Sequence, residues 1–414
     1  MRTVSKCIFL SCLLVARTAS AQAPQPVAPT TTSAWTAAPT ATSAASGPSM
    51  LVEEVKSSLP EWLSVVQVHG LVDVYYAFNV NRPADGANFP PGTGSTAKRF
   101  NEFNLNLAAL DVIVDKAPVV GRLTLAFGNG IEVLHAGEPR AVATGPDVLR
   151  NVLTASVSFA PPMVPGLVLV MGKFPAHVGF EVMASKDNWN YTRAYLGEYS
   201  PYYLAGAKAT YKFLKYFTLC GMIVNGWQNT GENNLWKSVG TMVAFNHEHV
   251  SLLWGTLVGP ELPGTVNTMV PQLNSPDTRL RVFNDFVAVL KPSKHLNFAA
   301  QLDVGYQHPA RDQHTFWHGL GGYVRMMPVE QLALALRAEY FLDPMNAVTG
   351  FAQNLVEATA TVELRPAPFL SFKLEGRADY STAPVFSGSA VDAAGTPVGA
   401  NSQTMVAGGA VLFF

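Results

Sequence analysis

Cysteine is scarce in this chain: of 414 residues only Cys7, Cys12 and Cys220 are cysteines, and two of them fall in the first dozen positions. Once an N-terminal leader is removed, Cys220 stands alone, which excludes an intrachain disulfide framework and leaves it a packing residue. Charge is also scarce. Charged residues make up 14%, against roughly 25% in an average soluble protein, while hydrophobic residues reach 48%. Much of the surface must therefore tolerate apolar surroundings. Yet beyond the N-terminus no stretch approaches the ~20 apolar residues of a spanning helix. Only helices and closed barrels satisfy every backbone group inside a bilayer, so a lipid-facing chain without such helices is expected to be a closed barrel.

Further absences narrow the chemistry. The formal charge is −1 and no basic run is present, which excludes nucleic acid as a partner. There is no Gly-x-Ser-x-Gly elbow, no Cys-x-x-Cys and no His-Glu-x-x-His, so neither a serine hydrolase nor a zinc enzyme has a motif to rest on. His247 and His249 flank Glu248 in a turn. His314 and His318 lie four apart in a strand, about 13 Å, too far for one metal ion. They read as rim histidines; no catalytic residue, metal or cofactor is expected.

What is present begins with a secretory leader. Arg2 and Lys6 supply a positive end, residues 7–16 an apolar core, and Ala19, Ser20 and Ala21 a small-residue cleavage site. The mature chain is expected to start at Gln22, with a net charge of about −4 once Arg2, Lys6 and Arg17 are lost. Apolar residues continue past Cys12, so the stretch around it makes a poor lipidation box. Residues 22–48 are uncharged and rich in Ala, Pro, Thr and Ser, a composition that buries no core and reads as a disordered tether. Residues 50–63 fit a short helix with Glu53, Glu54 and Lys56 outward, interrupted by Pro60. The expected layout is thus leader 1–21, linker 22–64, and barrel 65–414.

From Val65 onward the hydrophobic period becomes two, in segments of about ten residues. In 356–365, Val356, Ala358, Ala360, Val362 and Leu364 alternate with Glu357, Thr359, Thr361, Glu363 and Arg365. In 370–380, Leu370, Phe372, Leu374, Ala378 and Tyr380 alternate with Ser371, Lys373, Glu375, Arg377 and Asp379. A soluble β-sandwich alternates in the same way, so the connectors decide. Tight ones (116–118, 161–165, 214–216, 247–248, 292–294, 328–330, 366–368) alternate with longer ones (81–99, 129–148, 174–200, 228–234, 259–277, 308–313, 343–351, 381–402). Short turns on one rim and long loops on the other predict an all-β fold: an antiparallel, up-and-down transmembrane barrel of about sixteen strands with its turns in the periplasm.

Aromatics near the segment ends (Tyr202, Tyr203, Tyr211, Phe213, Tyr216, Phe217, Trp227, Tyr340, Phe341, Phe369, Tyr380) fit interfacial girdles, though aromatics favour strands in any case. Charge facing lipid costs roughly 2–4 kcal/mol at mid-depth for Arg or Lys. Arg279, Arg281, Asp285, Asp303, Arg337, Glu339, Glu357, Glu363, Arg365, Lys373, Glu375, Arg377 and Asp379 are therefore candidate pore-lining residues. Sixteen strands enclose more space than wall side chains fill, leaving an aqueous lumen unless something plugs it. The connector 174–200 carries Glu181, Lys186, Asp187, Arg193 and Glu198 among several aromatics. It is either a constriction loop folded into the lumen or an external loop packed on its neighbours.

The stretches 70–76 (GLVDVYY), 103–110 (FNLNLAAL), 172–174 (GKF), 179–181 (GFE), 188–193 (NWNYTR) and 224–227 (VNGW) resemble the OmpL-like β-barrel porins of Gram-negative bacteria. The resemblance covers 65–414, with its sharpest motifs before Asn246; Thr192 stands where the family often has Ser. It implies an outer-membrane channel and names no solute. The expected partners are outer-membrane lipid and small hydrophilic solutes or ions, with a homotrimer by analogy to other sixteen-strand porins. The rival expectations are a non-conducting barrel for binding, adhesion or envelope anchoring, and a barrel enzyme.

Overall fold

Each period-two segment can bury only one face, so the segments pair edge to edge until the last meets the first. The computed structural model describes residues 64–138, 148–232, 234, 236–261, 280–310 and 313–414. The expected leader, the tether with its short helix up to residue 63, and Arg279 lie outside the described residues. The first nine strands are β1 (Val66–Asn79), β2 (Phe103–Lys116), β3 (Val119–Phe127), β4 (Val152–Phe159), β5 (Leu167–Pro175), β6 (Tyr203–Lys212), β7 (Phe217–Val224), β8 (Ser238–Asn246) and β9 (Val250–Pro260). They are followed by β10 (Leu280–Leu290), β11 (Leu296–Ala310), β12 (Gln313–Val329), β13 (Leu332–Asp343), β14 (Gln353–Ala367), β15 (Leu370–Ser381), β16 (Phe386–Val391), β17 (Pro397–Ala400) and β18 (Ser402–Phe413). Strands β1 to β15 and β18 form one closed antiparallel barrel of sixteen strands, and β16 and β17 make a separate hairpin within the last long connector.

Closure is made by the C-terminus. Gly70 and Phe414 exchange both backbone hydrogen bonds, at 3.2 and 3.1 Å. A side chain at position 70 would collide with the Phe414 ring, so the glycine leaves the space that the terminal aromatic fills.

The two faces sort by chemistry. On β13 the outward Leu336 is 50% exposed and its neighbour Arg337 is 2%. Val72, Leu110, Leu123, Leu219, Trp254, Leu320, Val356, Leu374 and Val406 belong to the same outward apolar belt. Among the described residues no helix is long and apolar enough to cross a membrane; the strands supply the apolar surface instead.

Three expectations need correction. Of the aromatics assigned to girdles, Tyr203 and Phe341 are buried instead: Tyr203 stacks on His135 at 4.9 Å, and Phe341 packs on Tyr199 at 5.1 Å. Trp227 joins Phe283 at 4.9 Å in an interior cluster. Tyr211, Phe213, Tyr340, Phe369 and Tyr380 are exposed, as a girdle requires. The connector expected at 308–313 is almost absent, because β11 reaches Ala310 and β12 starts at Gln313. Finally, the interior is not polar throughout. Among the inward positions of β7 to β10, Cys220, Met222, Met242, Leu253, Leu257, Val287 and Val289 are buried in one apolar cluster.

Candidate functional site

That apolar cluster is covered by the connector between β5 and β6, which turns into the barrel. Gly179, at φ 90°, takes up a backbone conformation that side chains disfavour, which lets the chain turn soon after β5 ends at Pro175. Residues 176–180 then run across the inner wall of β8 to β11. His177 Nε2 lies 2.6 Å from the Thr256 carbonyl, the Gly179 N–H donates to Asp285 at 2.9 Å, and the Phe180 N–H donates to Gln301 at 3.0 Å. A Cβ at Gly255 would strike Val178, and one at Gly240 would strike Met222 and crowd His177.

The loop's far side is fixed by charged side chains projecting from β13, β14 and β15. Glu375 accepts the Tyr191 N–H at 2.5 Å, the Thr192 N–H at 2.9 Å and the Thr192 hydroxyl. Lys373 donates to the carbonyls of Ser185 at 2.7 Å and Asn188 at 2.5 Å. Arg377 donates to the Arg193 carbonyl at 2.5 Å and pairs with Asp379 at 2.8 Å. Arg337 spends its fork on Glu357 at 2.6 Å, Glu181 at 2.7 Å and the Thr192 carbonyl at 2.6 Å. Asp73 of β1 accepts the Tyr191 hydroxyl at 2.8 Å and the Ser185 hydroxyl at 2.6 Å. These side chains satisfy loop backbone that would otherwise sit unpaired in a closed space.

Helix α2 (Tyr195–Glu198) shows the same division of labour. It has no side-chain cap of its own; its first N–H groups, from Tyr195 and Leu196, donate to Glu339 at 2.6 and 2.5 Å, and the Ala194 N–H donates to Glu181 at 2.7 Å. A carboxylate at a helix N-terminus meets both the orphan donors and the dipole. Leu196 then lies over Gly319 and Gly321 of β12, where any side chain would collide with it.

Of the candidate pore-lining residues, Arg281, Asp285, Asp303, Arg337, Glu339, Glu357, Glu363, Lys373, Glu375, Arg377 and Asp379 all face inward and are buried, with Arg365 partly exposed. Most are occupied by the loop or by one another rather than open to a lumen. Arg281 is spent on Gln307 and on the rings of Trp227 at 4.8 Å and Trp317 at 5.5 Å. Asp285 and Asp303 stand opposite each other in the β10–β11 register, and Asp303 accepts the Ser200 hydroxyl at 3.0 Å.

Within the loop, Glu181 and Arg193 are buried, and Arg193 donates to the Val182 carbonyl at 3.0 Å, to Ser95 at 2.9 Å and to Thr96. Glu198 accepts the Ser95 N–H at 3.0 Å and its hydroxyl at 2.7 Å, which ties this loop to the first connector; burial raises its carboxyl above the usual range. Lys186 and Asp187 form a more exposed pair at 2.8 Å.

A second insertion comes from α1 (Asn129–Leu134), whose Ile131 and Leu134 pack against Leu107, Ala126 and Val411 inside the barrel. His135, at its end, is buried, with Nδ1 3.1 Å from the Ile131 carbonyl and Nε2 3.0 Å from Lys173 Nζ. Burial, reinforced by Lys173, pushes the imidazole down to about 4.

The inner faces of β3 to β6 are covered toward the long connectors, where Thr124, Ala126, Thr154 and Lys173 are buried, and less covered toward the short turns. Arg122, Ser156, Ser158, Val168, Val170, Lys208 and Thr210 keep partial exposure there, and Asp111 on β2 pairs with Arg122 at 2.9 Å. Asp73, Arg122, Lys208 and Arg325 were not singled out from sequence, although each sits in the inward phase of its strand.

Residues 65–414 match the family described as "Putative beta-barrel porin-2, OmpL-like". No curated protein matches the chain. Among solved structures it is similar to the outer membrane channel DcaP of Acinetobacter baumannii, at 10% identity and a TM-score of 0.54 over 84% of this chain and 97% of that one. An anion-selective porin from Comamonas acidovorans is similar at 11% identity and a TM-score of 0.54, over 84% and 99% of the two chains. A trimer form of OmpT, an outer membrane protein of Vibrio cholerae, follows at 9% identity and 0.50, over 84% and 99%. Identities this low establish a shared barrel fold.

Proposed function

The chain belongs to the OmpL-like porin-2 family, and from that premise we propose a passive outer-membrane pore for small hydrophilic solutes or ions, narrowed by residues 174–200. The observation that carries this reading is the asymmetry of the interior. The inserted loop buries the charged wall from β10 to β15, while β3 to β6 keep partly exposed hydroxyls and cations. Water and solutes pass along that second wall. Residues 1–21 act as the export signal, and 22–64 as a periplasmic tether leading into the barrel. A homotrimer is the expected assembly, in keeping with the trimer form among the similar barrels, and no enzymatic step is assigned. Swelling of liposomes loaded with the purified protein tests the reading: sugars should enter at rates falling with size, and rates equal to those of empty liposomes would contradict it.

The depth at which the loop buries Arg337, Glu357, Lys373 and Glu375 favours a second reading, a non-conducting barrel whose long loops serve binding, adhesion or envelope anchoring. Folded protein that leaves liposomes impermeable would support it.

A further inference from the structure

Ion preference along the less covered wall follows from which of its charges are neutralised. Arg122 and Asp111 pair at 2.9 Å, and Thr124 adds a hydrogen bond to the same carboxylate at 2.6 Å. That pair contributes little net field. At the periplasmic rim the inward positions Asp115 and Lys212 carry opposite signs. Lys208, midway along β6, is different. Its register neighbours are Val170 on β5 and Met222 on β7, and its ammonium sits 4.5 Å from the centre of the Phe174 ring. Among the described residues no carboxylate pairs with it. His177, on the adjoining loop segment, adds no charge near neutrality, because burial pushes its imidazole down to about 4.

A cation on an apolar wall is poorly screened, so it acts on a passing ion more strongly than a paired or hydrated one. The surroundings point the same way: Ser156, Ser158 and Thr210 offer hydroxyl donors along this wall. Toward the periplasmic mouth, Glu363 is shared by Arg325 at 2.7 Å, Arg365 at 2.8 Å and Lys373 at 4.0 Å, three cations on one carboxylate.

We propose that Lys208 is a selectivity-determining residue and that the passage prefers small inorganic anions over cations of the same size. The inference rests on the pore reading above and deepens it. The test is the reversal potential of the full-length protein in planar bilayers across a potassium chloride gradient. The wild type should favour chloride. Lys208→Gln should lower the chloride-to-potassium permeability ratio by about twofold or more, Lys208→Glu should turn the preference toward potassium, and Lys208→Arg should restore the wild-type ratio. Conductance steps with an unchanged ratio in Lys208→Gln and Lys208→Glu would overturn the inference alone, as would a cation-selective wild type. Absence of steps from folded wild-type protein would overturn the pore reading and the inference with it.

Discussion

Tyr191 and Glu375 are 184 residues apart in sequence, yet inside the barrel the Tyr191 N–H donates to the Glu375 carboxylate at 2.5 Å. The same carboxylate holds Thr192 by its N–H and hydroxyl and accepts the Thr361 hydroxyl at 2.7 Å. One side chain of β15 thus anchors the middle of the inserted loop. Glu375→Ala leaves those buried donors unpaired and should destabilise the barrel by about 2–4 kcal/mol. Urea unfolding followed by tryptophan fluorescence in lipid vesicles measures this; a loss under about 0.5 kcal/mol would show that the loop does not depend on the contact.

Gly409 makes room for the loop in a different way. A Cβ there would lie 2.4 Å from the ring of Tyr191, which is buried and held by Asp73. Gly409→Val should therefore lift the loop from the wall at a cost of about 1–3 kcal/mol. Hydrogen exchange at residues 189–193 should rise by about tenfold or more, with the barrel strands unchanged. Equal exchange in both proteins would place the ring elsewhere.

The outward phase makes a separate prediction. Leu336, exposed in the middle of β13, becomes a charge against hydrocarbon in Leu336→Arg, which should cost about 2–4 kcal/mol of folding into bilayers. A cost near zero would mean that this face meets water.

His135 gives a pH dependence. In the folded barrel its pKa falls to about 4, below the ordinary value of about 6.5, so the unfolded chain binds the proton first as pH drops. The stability contributed by neutral His135 is complete above about pH 6.5 and is lost progressively as pH falls toward 4, on the order of 3 kcal/mol in all. Protonation also sets an imidazolium beside Lys173. Wild-type unfolding should show this loss between those limits, and His135→Gln should flatten it. An identical pH profile in the variant would remove His135 from the account.

Much of the barrel could be read directly. The alternation of Val356 to Arg365 and of Leu370 to Tyr380 corresponds to β14 and β15 with the apolar phase outward, because lipid and interior impose opposite chemistry on adjacent positions. The reading was weaker where both faces are apolar, as at Cys220 and Met222 on β7, since period two disappears when the interior is itself a packed core. The partners of the inserted loop were not legible. Tyr191 with Asp73 and Arg337 with Glu181 join residues more than a hundred positions apart, and no local pattern encodes such a pairing. The sequence does carry one signal of the loop's approach: Gly319, Gly321 and Gly409 all fall in inward phases, where a missing side chain marks the approach of another segment. Tyr203 and Phe341 misled for a related reason, since a strand end beside an inserted loop offers an aromatic ring a buried place as readily as a membrane interface.

Single-channel recording from purified, folded protein in planar bilayers tests the central claim most directly, that a continuous water path runs along the inner wall of β3 to β6 beside a fixed loop. The account predicts steady conductance steps of uniform size that persist at constant voltage. A bilayer that stays silent after verified insertion of folded barrels would contradict it.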